Sequence, residues 1–195
     1  MKRGKLIVLY GINNIGKTTQ AKKIVSYLKS KKCKTYYFKI PTYTIKPTGP
    51  LINKILRSKK QDISEEEFQK LYAQNRKDYQ PVVKKKLKQG YMVLAEDYVG
   101  TGLAWGSVKG ASMSYLKKIN KGIIKEDIAI LLDGKRFLNA KEKVHIHEQN
   151  SGLIEKVRKK HLQLAKEFGW KIVKANQKRE KVFRDIKKHI DKLLS

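Results

Sequence analysis

The chain contains a single cysteine, Cys33, among 195 residues. No intrachain disulfide can form, and there is no cysteine cluster for structural zinc. No apolar stretch approaches the ~20 residues that a membrane-spanning helix needs. Acidic residues are scarce: 17 Asp and Glu stand against 46 Lys and Arg, a formal net charge of +29. Arginine is scarce within that excess, with only seven in the chain. A face dedicated to nucleic acid more often shows clustered arginines with interleaved aromatics, whereas these lysines are scattered through nearly every block of ten. The excess therefore reads as a lysine-rich surface. It attracts anionic nucleotides and associates with nucleic acid weakly and in a salt-sensitive way. Met1-Lys2-Arg3-Gly4 leads directly into an apolar run, so the expectation is a cytoplasmic protein without a leader peptide. The length suits a single domain over residues 1–195, built around one core.

What the chain does have is Gly11-Ile12-Asn13-Asn14-Ile15-Gly16-Lys17-Thr18-Thr19, which fits the pattern G-x-x-x-x-G-K-[ST]. Its flanks give the pattern meaning. Lys5 to Tyr10 is a short apolar run that reads as a buried strand, and Thr19 to Lys29 carries Ala21, Ile24, Val25 and Leu28 at helical spacing. Strand, glycine turn and helix together make a phosphate cradle: backbone N–H groups at the helix start face the anion, and the helix dipole favours negative charge there. Lys17 then reaches the β- and γ-phosphates, and the Thr18 hydroxyl ligates Mg²⁺.

Apolar runs alternate with helical patterns along the rest of the chain, the signature of βαβ units around a parallel sheet. Strand candidates are 5–10, 34–40, 91–95, 127–132 and 170–174. A long helix is expected over 64–88: Ser64 caps it, three glutamates fill its first turn, and Pro81 is expected to kink or divide it. On its face Phe68, Leu71, Tyr72, Asn75, Arg76 and Tyr79 line up at i, i+3, i+4 spacing. Two more helices are expected over 152–168 and 179–194. Residues 134–150 show no strong period and carry Lys135, Arg136, Lys141, Lys143, His145 and His147, as a mobile basic segment would. His145 and His147 beside Glu148 raise the question of a metal, but no partnering cluster supports one.

Three further segments carry chemistry: Leu71-Tyr72-Ala73-Gln74-Asn75-Arg76, then Val93 to Tyr98 followed by Thr101-Gly102-Leu103-Ala104-Trp105, and Ile130-Leu131-Leu132-Asp133 leading into the basic segment. In this order and spacing the chain resembles the thymidylate kinases. That family has a loop ending GK[ST][ST]Q, a helix carrying F-x-A-N-R, a strand ending D-R-[YH] with S-x-x-A-[FY] after it, and a basic lid behind a strand ending L-D. The resemblance implies an α/β P-loop NTPase fold with five parallel strands in the order 2-3-1-4-5, helices on both faces, a short lid at about 134–150, and a homodimer. It implies ATP as donor with Mg²⁺, and a deoxypyrimidine monophosphate, most naturally dTMP, as acceptor.

By the same resemblance, Gly11, Asn14, Ile15, Gly16, Lys17, Thr18 and Thr19 hold ATP, with Ala175 and Asn176 packing on adenine. Thr18 and Glu96 hold the metal. Asn13, Tyr43, Tyr72, Arg76, Asp97, Tyr98 and Trp105 surround the acceptor. Catalysis falls to Lys17, Glu96, Arg76 and the lid residue Arg136. Arg76 suits the acceptor phosphate because a guanidinium grips phosphate through two parallel hydrogen bonds. Tyr72 would stack on the base. Trp105, expected after a glycine-rich turn, would floor the deoxyribose and leave little room for a 2′-hydroxyl.

Four positions depart from the family pattern. Asp97 stands where a second arginine is expected beside the acceptor phosphate, and Tyr43 where an arginine follows the second strand. Asn13 replaces a carboxylate in the loop, and Asn14 replaces an arginine found there in some members. Lys39, Lys46 and Lys109 are candidate replacement cations. A deoxynucleoside kinase, or another nucleoside monophosphate kinase, is therefore an alternative. Val93-Leu94-Ala95-Glu96-Asp97 also fits the acid-ended strand of a nucleic-acid-associated P-loop ATPase, and a nucleotide-binding protein without catalysis is a third class.

Overall fold

A computed structural model describes residues 3–58, 63–137 and 151–194. In chain order the elements are β1 (Leu6–Tyr10), α1 (Lys17–Ser30), β2 (Thr35–Lys39), α2 (Thr48–Arg57), α3 (Glu65–Lys88) and β3 (Met92–Glu96). They continue with α4 (Val99–Val108), α5 (Met113–Ile119), β4 (Ile128–Asp133), α6 (Ser151–Phe168), β5 (Lys171–Lys174) and α7 (Arg179–Leu194). The five strands form one all-parallel sheet in the order β2-β3-β1-β4-β5. Both central strands, β1 and β3, are buried along their whole length, which is why they read as continuous rather than alternating apolar runs. Helices α1 and α7 pack together against the sheet, while α3, α4 and α6 form the second group around it.

The strands lie within a residue of the expected positions, and Ser64 caps α3 as expected. Its hydroxyl accepts the Glu67 N–H, and the Glu67 carboxylate accepts the Ser64 N–H, a reciprocal capping box. The expectation that Pro81 divides this helix is corrected in one respect: α3 runs through it unbroken. Pro81 lies on the exposed side of α3, so its ring meets solvent rather than the core.

Three helices, α2, α4 and α5, add to those expected from the sequence. The glycine-rich stretch before Trp105 is not a turn but the body of α4, with Trp105 inside it. Packing explains how a helix forms on so many glycines. A Cβ at Gly100 would lie 2.3 Å from the Trp170 ring, and one at Gly102 would lie 2.6 Å from Arg76 Nη2. Close approach outweighs the helix propensity that a side chain would add.

His161 on α6 is buried in this packing, with Nδ1 3.0 Å from the Val157 carbonyl oxygen and Nε2 without a partner. Burial, only partly offset by the Val157 contact, pushes its pKa down to about 4. The unfolded chain therefore binds a proton near the ordinary histidine pKa, and the folded chain does not until much lower pH. Stability contributed by the neutral ring is present above about pH 6.5 and is lost as the pH falls toward 4. Urea unfolding at pH 7 and pH 5 should show His161→Gln losing about 2 kcal/mol less than wild type on acidification. An equal loss in both proteins would mean that His161 does not govern this window.

Candidate active site

The loops following β1, β2, β3 and β5 enclose a cleft of about 990 Å³. Its floor is the loop from Asn13 to Gly16 and the first turn of α1. Gly16 at φ 94° caps the helix, and Asn14 takes a positive φ of 59°. Lys17 folds back on this loop, its Nζ donating to the carbonyl oxygens of Gly11 and Ile12 at 2.9 and 3.0 Å. The same ammonium stands 3.6 Å from Asp97 Oδ2.

Glu96, the last residue of β3, is only 1% exposed. Three side chains converge on its carboxylate. The Thr18 hydroxyl approaches its two oxygens at 2.9 and 3.0 Å, the Tyr37 hydroxyl donates at 2.7 Å, and Lys39 Nζ lies 3.1 Å away. Tyr37 and Lys39 are two residues apart on β2, so they share one face of the strand, and Lys39 pairs in register with Glu96. Burial opposes the charge on Glu96, but Lys39, Tyr37 and Lys17 outweigh it and hold the carboxyl below the usual range. Asp97 differs. Burial dominates and raises its pKa despite Lys17, with the neighbouring Glu96 charge adding to the rise. It takes a positive φ of 61° and accepts a 2.9 Å hydrogen bond from the Thr101 hydroxyl.

Opposite the phosphate loop, one turn of α3 builds the other wall. Arg76 is 3% exposed, donates from Nη1 to Asn120 Oδ1 at 2.8 Å, and leaves Nε without a partner. No ion pair among the described residues involves it, and burial lowers its pKa to about 10. Asn75 faces a different way. Its Oδ1 accepts the Thr42 N–H at 2.8 Å, while its amide nitrogen donates to the Thr42 carbonyl at 3.1 Å and the Thr48 hydroxyl at 3.0 Å. Asn75 thus clamps the loop that carries Tyr43. Tyr72 packs on Phe68, with ring centroids 4.8 Å apart, beside Ile52 and Leu56 of α2.

The family profile for thymidylate kinase matches residues 9–186. The chain belongs to the thymidylate kinase family. Human thymidylate kinase is 30% identical over 191 residues, covering 95% of this chain and 89% of the human one. The zebrafish (Danio rerio) thymidylate kinase is 29% identical over 199 residues, covering 100% and 93%. A solved structure of thymidylate kinase from Candida albicans shares the fold, with a TM-score of 0.81 at 23% identity over 97% of this chain and 92% of that one.

Most of the residues expected around a thymidylate kinase site line this cleft. Asn13, Asn14, Ile15, Gly16, Lys17, Thr18 and Thr19 do so from the loop and α1, and Glu96, Asp97, Tyr98 and Trp105 from β3 and α4. Tyr43, Tyr72, Arg76 and Ala175 complete the set. Three expected residues stand elsewhere. Gly11 does not line the cleft but supplies a carbonyl to Lys17. Asn176 turns its amide to Lys135, whose N–H it accepts at 2.5 Å and whose carbonyl it meets at 2.7 Å. Arg136 is half-buried one residue before Phe137, which does line the cleft and whose N–H donates to the Asn14 carbonyl at 2.8 Å. The remainder of the expected lid, including Lys141, Lys143, His145, His147 and Glu148, lies outside the described residues. Of the candidate replacement cations, Lys39 reaches the cleft, and Lys109 instead pairs with Glu65 at 2.8 Å. Tyr37, Arg57, Gln69, Lys178 and Arg179 are additions from the structure.

Asn75 offers a direct check on the clamp. Its loss leaves the Thr42 N–H unpaired at a partly buried position, so Asn75→Ala should destabilise the protein by about 1–3 kcal/mol in urea unfolding. A midpoint equal to wild type would show that the clamp contributes nothing.

Proposed function

We propose that the protein transfers the γ-phosphoryl group of ATP to dTMP, giving dTDP and ADP. The observation that carries this reading is Arg76: a buried guanidinium with no carboxylate partner among the described residues, on the opposite wall of a cleft floored by a phosphate loop. A buried cation in that setting is completed by an anion from the ligand. A nucleoside monophosphate brings that anion to the acceptor end, and ATP brings its own to the loop.

The chain's residues divide the work. On ATP binding Lys17 exchanges the Gly11 and Ile12 carbonyls for phosphate oxygens, and the loop N–H groups hold the rest of the triphosphate. Arg76 binds the acceptor phosphate and points one of its oxygens at the γ-phosphorus. The new P–O bond forms as the bond to the β–γ bridging oxygen breaks, and ADP departs. Trp105, buried in α4, floors the sugar. The Thr18 hydroxyl and the Glu96 carboxylate form a hard oxygen pair at the loop, the donor set that suits Mg²⁺. When bound there, the ion neutralises charge on the triphosphate. The family likeness further supports a homodimer.

A nucleoside acceptor fits less well, since it brings no phosphate and leaves Arg76 buried without an anion. ADP release measured over dTMP, dUMP, dCMP and thymidine should be fastest with dTMP. Faster turnover of thymidine, or stimulation by DNA but by no nucleotide, would overturn this reading. Arg76→Ala should raise the dTMP KM and lower kcat/KM by the equivalent of about 2–4 kcal/mol, with ATP affinity nearly unchanged. An unaltered kcat/KM would remove Arg76 from the acceptor site.

A further inference from the structure

The acceptor end of the cleft is short of positive charge for the group it must hold. A nucleoside monophosphate is a dianion, and in the transition state charge is spread over the oxygens between donor and acceptor. Against this the described residues set Arg76, while Asp97 adds an acid beside Lys17. Lys17 is committed to the loop and the donor phosphates. Among the described residues, the other basic side chains that line the cleft are Lys39, Arg57, Lys178 and Arg179.

Position separates these four. Lys178 and Arg179 follow β5 beside Ala175, in the region where α7 begins. Arg57 is the last residue of α2 and follows Leu56, which packs in a cluster with Ile52, Phe68 and Tyr72. Lys39 sits at the end of β2 beside the phosphate loop. It ends β2 in register with Glu96, and its Nζ lies 3.1 Å from Glu96 Oε1, the oxygen that is itself 2.9 Å from the Thr18 hydroxyl. Two short contacts therefore carry its ammonium to the residue that follows the phosphate-loop lysine. Its side chain is 55% exposed, in contrast to the 2% of Glu96, so it can turn toward a ligand without unpacking the core.

We propose that Lys39 is the second cation of the transfer site, bonding a phosphate oxygen of the acceptor and neutralising charge as the phosphoryl group passes. This rests on the phosphotransfer to a nucleoside monophosphate described above. The arrangement also accounts for Asp97 where a cation would be expected. The positive charge stands on the neighbouring strand instead, across from the same carboxylate pair.

The test uses the full chain, with Lys39→Ala, Lys39→Arg and Arg57→Ala compared with wild type in steady-state kinetics. Calorimetry of dTMP binding is run alongside, in the presence of a non-hydrolysable ATP analogue and Mg²⁺. Lys39→Ala should lower kcat/KM for dTMP by about 10²-fold and weaken dTMP binding at least about tenfold, the scale of losing one oriented donor to a phosphoryl oxygen. Binding of the ATP analogue should stay within about twofold of wild type, because Lys39 serves the acceptor. Lys39→Arg should recover most of the loss, and Arg57→Ala should cost less than Lys39→Ala in both dTMP affinity and kcat/KM. Lys39→Ala with wild-type dTMP affinity and kcat/KM would overturn the assignment. So would a loss confined to binding of the ATP analogue, since Lys39 would then only be holding Glu96. If Arg57→Ala produced the large loss instead, the second cation would be Arg57. A wild-type protein that binds dTMP yet transfers nothing to it would sink the proposed function while the dTMP affinities still decide on Lys39.

Discussion

The organisation of this site depends on one buried carboxylate. Glu96 closes β3 at the centre of the sheet, and its oxygens are shared by the first turn of α1, through Thr18, and by the end of β2, through Tyr37 and Lys39. A charge so far from solvent persists only when its partners are in place, and it penalises any arrangement that removes one of them. Glu96 therefore ties the first turn of α1 to the end of β2. The catalytic geometry follows from satisfying this group.

Beside it lies a second pairing of opposite sign, Lys17 with Asp97. Those two lysines and two acids balance one another beside the phosphate loop, in a chain that carries +29. The excess of lysine over the chain acts at long range, drawing anions inward in a way that salt screens. Discrimination among those anions belongs to the short-range partners inside. The two effects are separable: the first sets encounter rates, and the second sets which nucleotide stays.

The fold was largely legible in the sequence because its strands are continuous apolar runs bounded by turn residues. The first and third helices also begin with unmistakable chemistry, GKT in one and a capped acidic turn in the other. Helix α4 was not legible, since its glycines argue against a helix and are explained only by Trp170 and Arg76 pressing on them from elsewhere in the chain. The same limit applied inside the site. Asn75 and Arg76 stand out together as a motif, yet nothing local tells that one grips a loop and the other faces the cleft. Tyr37 and Lys39 could be placed on Glu96 only once the register of β2 against β3 was known. Asn176 sits in the expected loop, but its amide is occupied by Lys135.

The single turn of α3 that carries Asn75 and Arg76 acts as a rigid bolt. Through Asn75 it fastens the loop after β2, and through Arg76 it fastens Asn120 at the end of α5. The loop that brings Tyr43 to the cleft and the end of α5 are thereby tied to one turn of helix, so a shift of α3 is transmitted to both at once.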